Sequence, residues 1–405
     1  MKGNMHSFLL DLAIIFFLAR LLGSILARFG VPAIIGEILT GLILGPSLFG
    51  LIQANDILIL LAEIGIIFLL FQIGLEVDLD RLKKTGLRAA IVAILGVSLP
   101  LLGSFLVSYF ILNLPAIVAF TIGGTLAATS IGITVRILRD IGRLETEASQ
   151  MVLAAAVVDD IIGVLLLTFI YEFAKTGTIK MMTTFTYLFY ILTFFLLAPL
   201  TAHLIALLID VLARKLKSYD FVPSTILSLI FILAYLAKRV GAPEILGAFT
   251  GGLAFSRRFI VPFAASLRVS PLTVASVKNI IDPLVFVFTP LFFVYVGVQI
   301  NFQNMSFSPL LFLYFLLFSI LALISKGICG LIIKGTLKER IFVGLAMIPR
   351  GEVGIIFAEF GRLSGIFDEN LYTVMIAVVA FTTLISPFLL KFYVQKTRLF
   401  EIVNL

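Results

Sequence analysis

The residues of this chain best suited to chemistry are Asp159 and Asp160, adjacent carboxylates in the middle of the apolar run Met151 to Ile170. That run is long enough to cross a bilayer, which takes about 20 apolar residues. One Asp near the centre of such a helix costs about 2.5–3.5 kcal/mol on insertion scales, so two imply a partner or a task. A purely structural ion pair needs one acid, and here there are two. Successive helix positions differ by about 100°, so one carboxylate can face a cationic partner while the other faces an aqueous cavity. Carboxylates this close titrate as a coupled pair; desolvation, like charge and a neighbouring ammonium together set which of them exchanges protons. The chemistry this permits is alternate occupancy of one oxygen site by a proton or by a bare monovalent cation.

Other polar residues fall in the same slab. Asp159 lies roughly 18 Å from the start of its span and Lys326 roughly 12 Å from Lys334 at the end of its own, at about 1.5 Å per residue. Thr129 and Ser130 sit near the middle of a third span, Arg350 and Glu352 near the middle of a fourth. The hydroxyls of Thr129 and Ser130, with carbonyls freed by local unwinding, would complete an oxygen shell for a hard cation on Asp160 and Asp159. Softer ligands are scarce: Cys329 is the single cysteine, and His6 and His203 are the two histidines, so a transition-metal site is not indicated. An aspartyl dyad of an intramembrane protease needs converging acids, whereas neighbours on one helix diverge. The chain reads as a transporter and not an enzyme, with no cofactor.

The elements that must hold these residues are transmembrane helices. The 405 residues are 61% hydrophobic and 13% charged, against about 45–50% and about 25% in soluble domains. Hydrophobic stretches broken by charge, Gly or Pro give thirteen spans, at roughly 6–29, 32–51, 56–76, 84–111, 115–138, 146–174, 183–213, 222–240, 243–258, 273–301, 307–334, 339–363 and 370–397. The first is a span and not a removable signal, since no cleavage-site pattern follows a short apolar core. Of the 30 Lys and Arg, 21 fall on one side, six on the other, and Arg20, Lys326 and Arg350 inside spans. Positive loops stay cytoplasmic, which puts the N-terminus outside and the C-terminus in the cytoplasm. The net charge of +7 is therefore a topology signal, and no nucleic acid is expected as a partner.

An internal repeat is visible. Gly30-Val31-Pro32-Ala33-Ile34-Ile35-Gly36 recurs as Gly241-Ala242-Pro243-Glu244-Ile245-Leu246-Gly247, and Gly41-Leu42 as Gly252-Leu253. Phe71-Gln72-Ile73-Gly74-Leu75-Glu76-Val77-Asp78 matches Val294-Tyr295-Val296-Gly297-Val298-Gln299-Ile300-Asn301. The shift of seven spans is odd, so the halves insert with opposite polarity, a signature of secondary transporters with a site near mid-membrane. Carried forward, it sets Thr129-Ser130-Ile131-Gly132-Ile133 against Gly351-Glu352-Val353-Gly354-Ile355. Gly123-Gly124 and Pro349 weaken these segments further, and both are expected to unwind where they are buried or line a cavity. Elsewhere, Arg20 and Glu37 fall at similar depth on neighbouring spans and are expected to pair. Arg350 and Glu352 are expected to neutralise the ends of the broken helices. Asp11 and Glu63 lie near the outer face, and Glu359 and His203 suggest no role.

The assembly Ala128-Thr129-Ser130-Ile131-Gly132-Ile133-Thr134, Arg139-Asp140-Ile141-Gly142-Arg143-Leu144, Val157-Val158-Asp159-Asp160, Gly74-Leu75-Glu76-Val77-Asp78-Leu79, Pro290-Leu291-Phe292-Phe293, Lys326-Gly327 and Pro349-Arg350-Gly351-Glu352-Val353-Gly354 resembles the monovalent cation:proton antiporters. The resemblance is to their second, NapA- and Kef-like branch, within the sodium/hydrogen exchanger superfamily. It implies an all-α polytopic fold of about 13 transmembrane helices, with two inverted six-helix repeats and crossed discontinuous helices, as in NhaA and NapA. It implies a homodimer in the cell membrane. Scaffold parts would be 1–81 and 218–304, ion-transport core parts 82–182 and 305–405, and 183–217 a linker helix, the core moving like an elevator. Asp160 would carry the cation and the proton, with Asp159 the partner of Lys326. This Asp-Asp-Lys set looks like that of electrogenic members exchanging two protons for one sodium, which serve pH homeostasis. Na⁺ or Li⁺ is the expected substrate and K⁺ the alternative. A gated Kef-type potassium efflux system, which carries a nucleotide-binding segment after its last span, is not expected. A cation channel could use the same acids, but the inverted repeat argues against one.

Overall fold

The computed structural model describes residues 2–29, 31–76, 79–176, 181–216, 221–255, 271–300 and 308–397, and every statement below concerns these. Their regular elements are helical. In chain order they are α1 (Lys2–Arg28), α2 (Ala33–Leu44), α3 (Asp56–Glu76), α4 (Leu79–Leu106), α5 (Ala116–Ala127), α6 (Ile131–Asp140), α7 (Glu147–Thr176) and α8 (Met181–Leu216). They continue as α9 (Val222–Arg239), α10 (Glu244–Phe255), α11 (Pro271–Gln299), α12 (Pro309–Cys329), α13 (Leu337–Ala346), α14 (Glu352–Leu363) and α15 (Glu369–Thr397). Ten helical stretches are long and apolar enough to cross a membrane, and α2 and α10 are shorter apolar helices of 12 residues each. The protein is an all-helical, multi-pass membrane protein. Gly30, Val77, Asp78 and Asn301 of the paired motifs lie outside the described residues.

Two of the expected spans are interrupted. The span at 115–138 is α5 and α6, separated at Ala128, Thr129 and Ser130; the span at 339–363 is α13 and α14, separated between Met347 and Gly351. Pro349 sits in the second gap, where it has no N–H to offer a helix. Gly123 and Gly124 do not unwind. They stay inside α5, where a Cβ on Gly123 would meet Leu101 at 2.8 Å and one on Gly124 the Phe357 ring at 2.7 Å. These glycines permit close packing. The chain breaks instead at Thr129 and Ser130, where Ser130 accepts the Ile133 N–H and caps α6.

The helices cluster into two compact units. One comprises Met1–Asn55, Thr85–Ile179 and Phe293–Leu405, the other Asp56–Lys84 and Lys180–Phe292. In lipid, helix association relies on tight packing more than on water exclusion, so small residues mark the contacts. In the first unit, a side chain on Gly41 of α2 would collide with the Val294 carbonyl of α11, and one on Gly297 with that of Ile38. In the second, a side chain on Gly74 of α3 would collide with the Phe249 carbonyl of α10, and one on Gly252 with that of Phe71. The first unit also holds a core shared by α5, α12, α14 and α15, in which Ile122, Leu126, Phe318, Ala322, Ala358 and Val374 are buried together. α5 and α14, which each border one of the chain breaks, both contribute to this core.

Candidate functional site

α7 carries both aspartates at mid-helix, Asp159 at 1% exposure and Asp160 at 3%. The Lys326 ammonium on α12 donates to Asp159 Oδ1 at 2.9 Å, and the Thr129 N–H donates to Asp159 Oδ2 at 2.9 Å. Both oxygens of Asp159 are thus engaged, one by a charge and one by the first chain break. Asp160 points about 100° away around the helix. Gly163, almost one turn further on, lies beside Val353 at the start of α14, so α7 is packed against both interrupted segments. Gly96 on α4 is a component that sequence reasoning missed. A Cβ there would sit 3.3 Å from Lys326 Nζ and 3.7 Å from Asp159 Oδ1, so the absence of a side chain leaves room for the pair. A lone Gly in an apolar helix carries no signal of this kind.

The two breaks hold each other. Ser130 N–H donates to the Pro349 carbonyl at 2.9 Å, Thr134 Oγ1 to that of Ala346 at 3.1 Å, and Thr129 Oγ1 to that of Met347 at a long 3.4 Å. Gly351 comes so close that a Cβ would lie 2.6 Å from Ser130 Oγ. Arg350 is fully buried. Its Nη1 donates to the Ala128 carbonyl at 2.9 Å and its Nη2 to the Ala322 carbonyl at 3.2 Å. Ala128 follows the last residue of α5, so the guanidinium meets the negative end of that helix and satisfies one of its orphan carbonyls. Glu352 opens α14, where a carboxylate suits the helix dipole; its side chain lies outside the described residues. The carbonyls of Ala346, Met347, Pro349 and Arg350 each already accept a hydrogen bond, so they are less available to a cation than simple unwinding implies. With Asp159, Lys326 and Arg350 ionised, the charge on Asp160 decides whether these four groups sum to zero.

Thr383 on α15 was also not anticipated. Its hydroxyl lies 2.7 Å from the Arg350 carbonyl and 2.7 Å from that of Val379 in its own helix. Threonine back-bonding within a helix is common, so the sequence gives no hint that this one reaches the second break. Thr383→Val removes the donor and is expected to cost about 1–3 kcal/mol for an unsatisfied buried carbonyl. A lowered melting temperature in detergent, recovered by Thr383→Ser, checks this; equal melting of the Val variant and wild type would remove Thr383 from the site's support.

Several other polar residues singled out in the sequence meet local partners. Arg20 and Glu37 do approach, at 3.8 Å, but Arg136 is closer to Glu37 at 3.4 Å. Glu359 pairs with Arg362, whose guanidinium lies over the Tyr372 ring. His203 is buried with Nδ1 2.8 Å from the Ala254 carbonyl, a structural bond between α8 and α10.

The family described as sodium/hydrogen exchanger, transmembrane, matches residues 13–396. A Na⁺/H⁺ antiporter of Enterococcus hirae is 32% identical over 389 residues, covering 93% of this chain and 96% of the relative. The Na⁺/H⁺-K⁺ antiporter GerN of Bacillus cereus is 30% identical over 390 residues, covering 95% and 96%. Among solved structures, the sodium proton antiporter MjNhaP1 of Methanocaldococcus jannaschii superposes with a TM-score of 0.71 at 18% identity, over 98% of this chain and 99% of that one. The last similarity is one of fold.

Proposed function

The chain belongs to the sodium/hydrogen exchanger family, a family of transporters, and from that premise we propose that it is a secondary antiporter exchanging Na⁺ or Li⁺ for protons. The carrying observation is the division of labour at mid-helix α7. Asp159 is held by Lys326 and the Thr129 N–H, which leaves the exchange of proton for cation to Asp160, assisted by the hydroxyls of Thr129 and Ser130. Arg350 and Glu352 hold the charge balance of the interrupted helices. Two protons would exchange for one sodium, making transport electrogenic. K⁺ is the second reading, favoured by the likeness to GerN, whose name includes potassium.

The access mechanism we propose is an elevator. The parts 82–182 and 305–405 carry the site, 1–81 and 218–304 form the scaffold of a homodimer, and 183–217 links them. Glycine packing supports two inverted six-helix repeats in a layout of about 13 spans. Gly41 and Gly252 are equivalent in the repeat, as are Gly74 and Gly297, and each α2-type helix packs on the α3-type helix of the other half. The loop charges support a cell membrane orientation with the N-terminus outside.

The test is exchange in proteoliposomes with Na⁺, Li⁺ and K⁺ gradients and the potential clamped. The expected result is Na⁺-driven proton movement whose apparent KM for the cation rises about tenfold per unit fall in pH for each proton it displaces, so up to about a hundredfold for two, with Vmax unchanged, as for ligands sharing one site. Cation flux without proton movement would overturn the reading in favour of a channel.

A further inference from the structure

A second cluster of charges lies between α1, α2 and α6. Glu37 on α2 is 1% exposed, with Oε1 3.4 Å from Arg136 on α6 and 3.8 Å from Arg20 on α1. Its Oε2 atom makes no hydrogen bond. Arg136 Nε is 3.2 Å from Asp140 one turn later. The Asp140 carboxylate faces the backbone N–H groups of Ala33 and Ile34, the first turn of α2. The residue before that turn is Pro32, which supplies no side-chain cap. The last turn of α6 therefore caps α2 and, through Arg136, reaches the buried carboxylate four residues further along it. Ser130 caps the start of α6, beside the Thr129 amide that holds Asp159.

We propose that Glu37, Arg136 and Asp140 form a charge latch that fastens the ion-site helix α6 to α2 in one access state and opens in the other. This rests on the alternating-access reading above. All these contacts are short-ranged and directional, so sliding α6 past α2 by one turn, about 5.4 Å, parts them together. A contact present in only one of two states stabilises that state alone and biases the equilibrium between them. A buried carboxylate separated from its partner is costly, and in the open state Glu37 retains Arg20. The latch thus gives the equilibrium a second determinant, remote from Asp160.

The test uses the full chain in nanodiscs and proteoliposomes, in a Cys329→Ser background with Ala33→Cys and Asp140→Cys. Position 140 faces the first turn of α2, which begins at Ala33, so thiols at the two positions probe this contact directly. Copper phenanthroline is expected to lower exchange about tenfold, the extent of a population held in one state, and dithiothreitol to restore it. Adding Glu37→Gln, or Arg136→Gln, is expected to slow the cross-linking itself about threefold or more, because the closed state is then less populated. Undiminished exchange by the cross-linked protein, failure of the thiols to cross-link, or a cross-linking rate indifferent to Glu37→Gln would each overturn the latch. If the reduced pair does not transport, the cross-linking rates decide alone. Absence of cation–proton exchange in the wild-type chain would instead fall on the antiporter reading.

Discussion

Asp160→Asn is expected to reduce cation-driven proton movement in proteoliposomes to the level of empty vesicles, while the protein remains folded. The amide is the same size as the carboxylate and cannot bind a proton in this pH range. It also lacks the full charge that offsets dehydration of a hard cation, which takes oxygen ligands by preference. The amide is cheaper to bury than a carboxylate but leaves Asp159, Lys326 and Arg350 with one unbalanced positive charge, so a moderate fall in stability without unfolding is expected. The measurement pairs a pH-sensitive dye signal under an imposed Na⁺ gradient with a melting curve. Robust exchange by a well-folded variant would take the carrier role away from Asp160. Loss of exchange together with loss of folding would be settled by Asp160→Glu, which retains the charge and should retain cation binding with a changed KM.

The second large effect concerns Lys326 and Asp159. Both are essentially unexposed, and removing one member of a buried pair typically costs about 3–5 kcal/mol because the other charge is left uncompensated. Lys326→Ala should therefore lower the melting temperature by about 4–6 °C for a chain of this length. The double change Asp159→Asn with Lys326→Gln should recover most of that loss. An amide at position 159 can accept the Thr129 N–H with its oxygen and donate to the glutamine with its nitrogen, leaving no charge without a partner. If the double variant melts as low as the single one, charge compensation is not what the pair contributes. The neutral pair also tests coupling. If the ammonium takes part in proton movement, exchange by the double variant loses its response to membrane potential; a wild-type voltage response would confine Lys326 to a structural role.

Residue types and spacing were enough to bring Asp159, Asp160, Lys326, Thr129, Ser130 and Arg350 to one depth, because depth in a membrane helix is a simple count at about 1.5 Å per residue. They were also enough to single out the two segments that break, since Pro349 and the polar runs beside it cannot continue an apolar helix at no cost. The first break falls at Thr129 and Ser130, the start of the stretch expected to unwind. Gly123-Gly124, expected to weaken the same segment, stays helical because its bare backbone is needed against Leu101 and Phe357. Propensity is a weak guide where packing is tight. Arg136 illustrates a second limit. The expected pair was Arg20 with Glu37, a match of neighbouring spans, whereas the shorter contact comes from a residue 99 positions away.

By itself, the sequence determined that this is a multi-pass helical membrane protein with paired acids in the middle of an apolar helix, because bilayer thickness and charge burial leave a chain of this composition few other options. It also determined the family, through motifs distributed over nearly its whole length. The motif resemblance already implied that Asp159 meets Lys326, as the 2.9 Å contact shows; only the tertiary structure decided which carbonyls Arg350 and Thr383 occupy, and that Arg136 of α6 meets Glu37 of α2. Those outcomes depend on the rotation of each helix about its own axis and on the helices that lie beside it. A one-residue difference turns a side chain by about 100°, and packing between distant segments, not local spacing, sets that angle.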